Sequence, residues 1–194
     1  MSPNLAQVDV LVPTHPISLE EYLALDLSDP WGNPLSTELV AGVVVVTPPP
    51  GGPHQVAAGE VLVALHAACP PGHRVMPGTG WVVDDSPLAT FRVPDILVVS
   101  QEQARETWLR TPPLLALEVV SRHSSVERDL VAKRREYAVA GCPHYWVLFP
   151  DRPELIRFRL EAGAYVEVGR TTGRRRVRIT EPFAVTIDLA RIIV

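Results

Sequence analysis

The sequence predicts an α/β fold in which helices flank one mixed β-sheet, with additional β-hairpins near both ends of the chain. Residues 114–149 have the pattern strand, helix, strand, and most other apolar runs are short and separated by turn residues. Hairpins that alternate with strand–helix–strand connections indicate a mixed sheet. The 194 residues, 46% of them hydrophobic, suit one sizeable core. We therefore predict a loose leader over residues 1–16 and a single domain over 17–194.

The central unit begins with an apolar run over Leu114–Val120, in which Glu118 is the one charged residue. A short run of this kind is typical of a strand covered on both faces. The next segment predicts a helix over 126–140, which Gly141 is placed to end. His144–Phe149 then predicts a second strand, and the connection is a right-handed crossover if the two strands are parallel.

The remaining elements follow from apolar runs bounded by Gly, Pro and Asp. We predict two helices, over 19–25 and 54–68, and a loop over 72–80. Residues 37–47 predict a strand pair or one long bent strand. Further strands are predicted over 81–84, 91–100, 155–160, 164–168 and 174–180, and a strand or short helix over 185–194. Pro94 cannot donate to a sheet ladder, so its strand should begin near it or lie at an edge.

One face of the predicted helix 126–140 carries chemically active residues. Asp129, Lys133 and Tyr137 are spaced i, i+4, i+8 and share a face with Leu130, which indicates that this face looks inward. Lys133 is the only lysine among 18 basic residues. Arginine is a permanently charged fork, whereas the pKa of a lysine shifts readily, so the lone lysine indicates a specific role. The alternative is chance placement of a single lysine.

Composition limits the class of protein. The net charge of −4 does not indicate nucleic-acid binding by itself, and the charged fraction of 21% is ordinary for a soluble protein. Two cysteines without a C-x-x-C pair suggest reduced thiols in a cytoplasmic protein. The N-terminal residues lack a basic and apolar signal sequence, and no apolar run is long enough to span a membrane, so we expect neither secretion nor membrane insertion.

Several motifs occur in a specific order along the chain. Glu38 lies in the early strand pair, His54 follows a proline-glycine loop, and VPDILVV stands at 93–99. LEVVS then stands at 117–121, followed by the helix with Lys133 and by AGCPHYWVLFP at 140–150. This ordered set resembles the PD-(D/E)XK nuclease superfamily, and within it a large bacterial family of predicted restriction endonucleases.

The resemblance implies a restriction-endonuclease-like fold, a divalent metal (Mg²⁺ or Mn²⁺), a nucleic-acid substrate, expected to be DNA, and a homodimer. The implied catalytic residues are Asp95, Glu118, Lys133 and Glu38; the implied metal ligands are Asp95, Glu118 and the backbone carbonyl of Val119; the possible auxiliary residues are His54, Asp129 and Tyr137. Two-fold symmetry would match duplex DNA. An exposed apolar terminus over 192–194 is expected to contribute to the dimer.

The chemistry agrees with this resemblance. A divalent ion held by carboxylates both activates a water and stabilises charge on a phosphodiester. Magnesium prefers oxygen ligands and keeps several waters, so Asp95 and Glu118 would suffice. Lys133 would orient or deprotonate the attacking water, or offset charge on the phosphate. The superfamily's lysine usually follows the second acid by two residues, where this chain has Val120, so here the lysine has moved to the helix.

Other interpretations stay open. Asp95 could be a turn or cap residue, Glu118 could simply form an ion pair with a basic residue, and His54 could be a capping or packing residue. We expect Tyr137 to be structural, with its hydroxyl on an acid. The whole protein could instead be a catalytically silent nucleic-acid-binding or assembly protein that retains the fold. It could also hydrolyse another phosphate ester.

Overall fold

The computed structural model describes residues 13–29, 31–120 and 126–193, with only the backbone described over 126–129. The described chain forms two compact units. Unit 1 comprises the described residues up to Pro49 together with Asp84–Arg92, and unit 2 comprises Pro50–Val83 and the described residues from Val93 onward. The single domain over 17–194 stays a prediction, and residues 1–12 of the predicted leader lie outside the described residues.

The elements follow the predicted order of strands and helices. The helices are α1 (Leu19–Ala24), α2 (Gly52–Ala68) and α3 (Val126–Val139), and a 3₁₀ turn covers Gln103–Arg105. The strands are β1 (Thr37–Val40), β2 (Val43–Val46), β3 (His73–Pro77), β4 (Trp81–Asp84), β5 (Thr90–Arg92), β6 (Ile96–Ser100), β7 (Leu115–Val119), β8 (His144–Phe149), β9 (Glu154–Glu161), β10 (Ala164–Thr172), β11 (Arg176–Ile179) and β12 (Val185–Asp188). Within the described residues no helix is both long and apolar enough to cross a membrane.

Unit 1 is built on the predicted strand pair, a hairpin of β1 and β2. Ala41 and Gly42 join the two strands with φ angles of 48° and 78°. Positive φ at both central residues is the conformation of a two-residue type I′ turn, which matches the twist of the hairpin. β1 also pairs antiparallel with β5. The core of this unit includes Tyr22 and Phe91, whose ring centroids lie 5.5 Å apart.

Unit 2 contains a six-stranded mixed sheet with the order β10-β9-β8-β7-β6-β3. β7 and β8 are parallel, as a crossover through α3 requires, while the other neighbouring pairs are antiparallel. This confirms the predicted α/β fold with a mixed sheet. β6, β7 and β8 are buried on both faces, which explains their nearly continuous apolar sequences. β11 and β12 form a separate hairpin.

Two apolar clusters cover the faces of this sheet. α2 and the C-terminal hairpin pack on one, here called the α2 face, and α3 packs on the other, the α3 face. Because successive side chains of a strand point to opposite faces, Leu117 and Val119 belong to the α2 face. Ala116 belongs to the α3 face. Glu118, two residues further along β7, therefore points to the same face. The charged residue of β7 is thereby directed toward the helix that carries Lys133.

Three sequence predictions about the architecture are wrong. The predicted loop over 72–80 contains β3, which pairs antiparallel with β6 at the edge of the sheet. The single strand predicted over 91–100 is two strands, because Pro94 interrupts the ladder between β5 and β6. Ile192 is not exposed as predicted but fully buried in the cluster on the α2 face, while Ile193 is half-buried and Val194 lies outside the described residues.

Candidate active site

Asp95 lies immediately before β6, where the chain enters the buried sheet. β6 pairs with β7 in a register that sets Ile96 opposite Leu117. The start of β6 therefore lies beside the carboxyl end of β7, and the backbone N–H of Val119 donates to Asp95 Oδ2 at 2.7 Å. This bond fixes the carboxylate against the neighbouring strand, so Asp95 is not a free turn residue.

Glu118 collects two donors from α3. Lys133 Nζ lies 3.0 Å from Glu118 Oε1, and the hydroxyl of Tyr137 donates to the same oxygen at 2.8 Å. The side chains of Glu118 and Lys133 are only 9% and 14% exposed. The i, i+4 spacing explains this arrangement, because it sets both donors on one side of the helix, one turn apart. The predicted inward face of the helix is thus confirmed for Lys133 and Tyr137.

His54, near the start of α2, reaches Asp95 from another side. Its Nε2 lies 3.2 Å from Asp95 Oδ2, and its buried Nδ1 has no hydrogen-bond partner among the described residues. Burial lowers the pKa of His54, but the hydrogen bond to Asp95 and the negative charges of Asp95 and Glu118 raise it more. The net pKa therefore lies above the ordinary value. That balance shows that both carboxylates act on one imidazole.

The oxygen atoms at this site match the preference of a hard divalent cation. Both hydrogen bonds of Asp95 end on Oδ2, so within the described chain Oδ1 accepts none, and the side chain is 25% exposed. Glu118 supplies a second carboxylate and Val119 a backbone carbonyl at the end of β7. No three His, Cys, Asp or Glu side chains of the described ranges converge to hold a metal by themselves. A magnesium ion at this site would be held by two carboxylates and would keep several of its waters.

Two further predicted site residues are Glu38 and Asp129. Glu38 lies in unit 1, where Arg92 Nη1 donates to its Oε2 at 2.8 Å and both side chains are nearly buried. Sequence reasoning missed Arg92 as its partner, because the two residues are 54 positions apart and no local pattern links them. Asp129 lies on α3, but its side chain is outside the described residues. The catalytic role of Glu38 and the auxiliary role of Asp129 stay predictions.

A model of the family Uma2, described as "Putative restriction endonuclease", matches residues 19–190. The chain belongs to this family. The Uma2 match covers both units and every residue of the site described above. A comparison with curated proteins gave no match.

A solved structure shows the same fold as this Uma2 protein. It is the crystal structure of a putative nuclease belonging to DUF820 from Anabaena variabilis ATCC 29413, with a TM-score of 0.72 and 18% sequence identity. The similarity covers 91% of this chain and 97% of the Anabaena protein. At that identity the comparison establishes that the two proteins share a fold, while the Uma2 match supports nuclease function in general terms.

Proposed function

We propose that this Uma2 protein is a metal-dependent endonuclease that hydrolyses phosphodiester bonds in DNA. The observation that carries the proposal is the convergence of Asp95, Glu118 and Lys133 at one end of a buried sheet. A carboxylate is expensive to bury, and two of them at one end of the sheet, one of them paired with a lysine, indicate a site for a cation and an anionic substrate.

The residues of the chain would divide the work as follows. Asp95, Glu118 and the Val119 carbonyl would hold a magnesium or manganese ion, which supplies a nucleophilic water and stabilises charge on the phosphate. Lys133 would orient or deprotonate that water, or offset charge on the phosphate. Tyr137 holds Glu118 through its hydroxyl. His54 fixes the second side of Asp95. Glu38 is retained as a proposed catalytic residue and Asp129 as a proposed auxiliary residue.

One observation favours a catalytically silent nucleic-acid-binding protein as the second candidate. Oε1 of Glu118 already contacts both Lys133 and Tyr137. A carboxylate neutralised by an ammonium attracts a metal ion less strongly than an unpaired carboxylate does. A protein that retained the fold without catalysis could keep such a pair for structure alone.

Cleavage assays on three substrates separate these candidates. Supercoiled plasmid, single-stranded DNA and RNA are incubated with Mg²⁺, Mn²⁺ or EDTA. We expect cleavage of DNA with either metal and none with EDTA. Asp95→Asn protein purified in parallel controls for contaminating nucleases. Binding of DNA without cleavage under every condition would identify the silent protein, and cleavage of RNA alone would exclude the proposed DNA substrate.

We also propose that the protein acts in the cytoplasm as a homodimer. Cys69 and Cys142 are free thiols, which agrees with a reducing compartment. The two-fold symmetry of duplex DNA favours two copies of a nuclease that cuts one strand per site.

Light scattering tests the dimer. We expect a mass of twice the 21.3 kDa of the chain at micromolar concentration. A mass equal to that of one chain, unchanged by added duplex DNA, would contradict the homodimer.

A further inference from the structure

A buried carboxylate outside the described site fixes two arginines. Glu154, the first residue of β9, is 7% exposed. Its Oε2 lies 2.9 Å from Arg152 Nε, and its Oε1 accepts a hydrogen bond from Arg170 Nη1. A carboxylate buried in this way needs a compensating cation. Arg170 alone would meet that requirement, so the second arginine calls for an explanation.

The two arginines differ in which of their guanidinium nitrogens already contact other groups of the protein. Arg170 Nε and Nη2 also donate to Glu167, so each of its three guanidinium nitrogens already contacts a carboxylate. The guanidinium of Arg152 stacks over the ring of Phe149 at 4.2 Å from the centroid. Its side chain is 67% exposed, and its two Nη atoms make no hydrogen bond within the described chain. Arg152 thus presents a fixed, charged donor edge to solvent.

This edge lies near the candidate active site. The register sets Val119 opposite Leu148 on β8, and Leu148 opposite Leu155 on β9. Glu154 is therefore at the same end of the sheet as Glu118, two strands away and two residues further along, which places the two backbones about 12 Å apart. Both side chains point to the α3 face. Glu154, Ile156 and Phe158 are every second residue of β9 and so share one face, and Ile156 and Phe158 pack on the α3 face.

We propose that Arg152 binds a backbone phosphate of the DNA beside the phosphate that reacts at Asp95 and Glu118. The inference rests on the proposed nuclease function and adds a substrate-positioning residue to it. A planar guanidinium matches the oxygens of a phosphate with two parallel hydrogen bonds. Glu154 and Phe149 hold this guanidinium in place before the DNA arrives, so little side-chain freedom is lost on binding. Such contacts set the register of the nucleic acid rather than its sequence.

Binding and cleavage by Arg152→Gln test the proposal. Anisotropy of a labelled 20-base-pair duplex is measured in EDTA over a series of NaCl concentrations. One lost phosphate contact should reduce the slope of log Kd against log salt by about 0.9. In cleavage assays KM should rise while kcat is kept, because the lost contact is made equally before and during the reaction. Arg152→Lys, which keeps the charge, should retain the slope.

Arg159→Gln is the matched control. Arg159 lies on β9, which begins two residues after Arg152. Its side chain is 42% exposed and is held by Glu161 and Glu181, but it lies near the opposite end of β9. It should keep the wild-type slope. Two results would overturn the role of Arg152 in a wild-type protein that binds duplex: Arg152→Gln keeps the wild-type salt slope, or Arg159→Gln reduces the slope as much as Arg152→Gln does. Either result leaves the nuclease proposal standing. If wild-type protein binds no DNA at low salt, both proposals fail.

Discussion

Replacement of Asp95 by asparagine, or of Glu118 by glutamine, is expected to abolish both manganese binding and DNA cleavage. Each change removes a negative charge while preserving the shape of the side chain. Asp95 Oδ1 accepts no hydrogen bond within the described chain, and Glu118 supplies the second carboxylate, at the end of β7. Loss of metal-dependent charge stabilisation is worth several kcal/mol, which reduces the cleavage rate more than about 100-fold.

Calorimetric titration with Mn²⁺ measures the binding part of this prediction, and a plasmid-nicking assay measures the rate. Glu102→Gln is the control, because Glu102 is exposed and lies outside the cluster. It should bind and cleave like the wild type. Manganese binding that persists unchanged in Asp95→Asn or in Glu118→Gln would remove that residue from the ligand set, whatever happens to cleavage.

The parts of the site that the sequence predicted are those set by short-range periodicity. A helix fixes the angle between residues four apart, so Lys133 and Tyr137 could be assigned to one inward face without knowledge of the fold. Apolar runs with a single carboxylate could likewise be assigned to buried strands. Together these two inferences predicted that Lys133 faces the strand that carries Glu118, and the structure shows the two side chains in contact at 3.0 Å.

The parts that were missed depend on pairing between distant segments. β3 has the sequence HRVMP, whose mixed polarity and terminal proline resemble a loop, yet it is an edge strand that needs only one partner. The partner of Glu38 is Arg92, and the partner of Arg152 is Glu154 with Phe149 beneath it. Burial of a carboxylate requires some cation, but the sequence does not say which arginine the register brings close.

Lys133→Arg is expected to lose DNA cleavage by about 100-fold or more while the protein keeps its melting temperature and its affinity for manganese. The arginine retains a positive charge for Glu118, so the ion pair and its contribution to stability persist. Its guanidinium is larger, cannot give up a proton, and must occupy a position where the lysine side chain is only 14% exposed. If Lys133 orients or deprotonates the attacking water, the guanidinium cannot replace it, and loss of a general base costs about 10²–10⁴ in rate.

Lys133→Met supplies the complementary measurement. It should also lose cleavage, and it should destabilise the fold by up to about 3–5 kcal/mol, because Glu118 is left buried without its cation. Tyr137 still donates to the same oxygen and limits that loss. Arg135→Met, an exposed position on the same helix, should change neither the rate nor the stability. If the ion pair between Lys133 and Glu118 were purely structural, Lys133→Arg would keep its full cleavage activity. An active and fully stable Lys133→Met protein would contradict both roles, because neither catalysis nor the buried carboxylate would then depend on the single lysine of the chain.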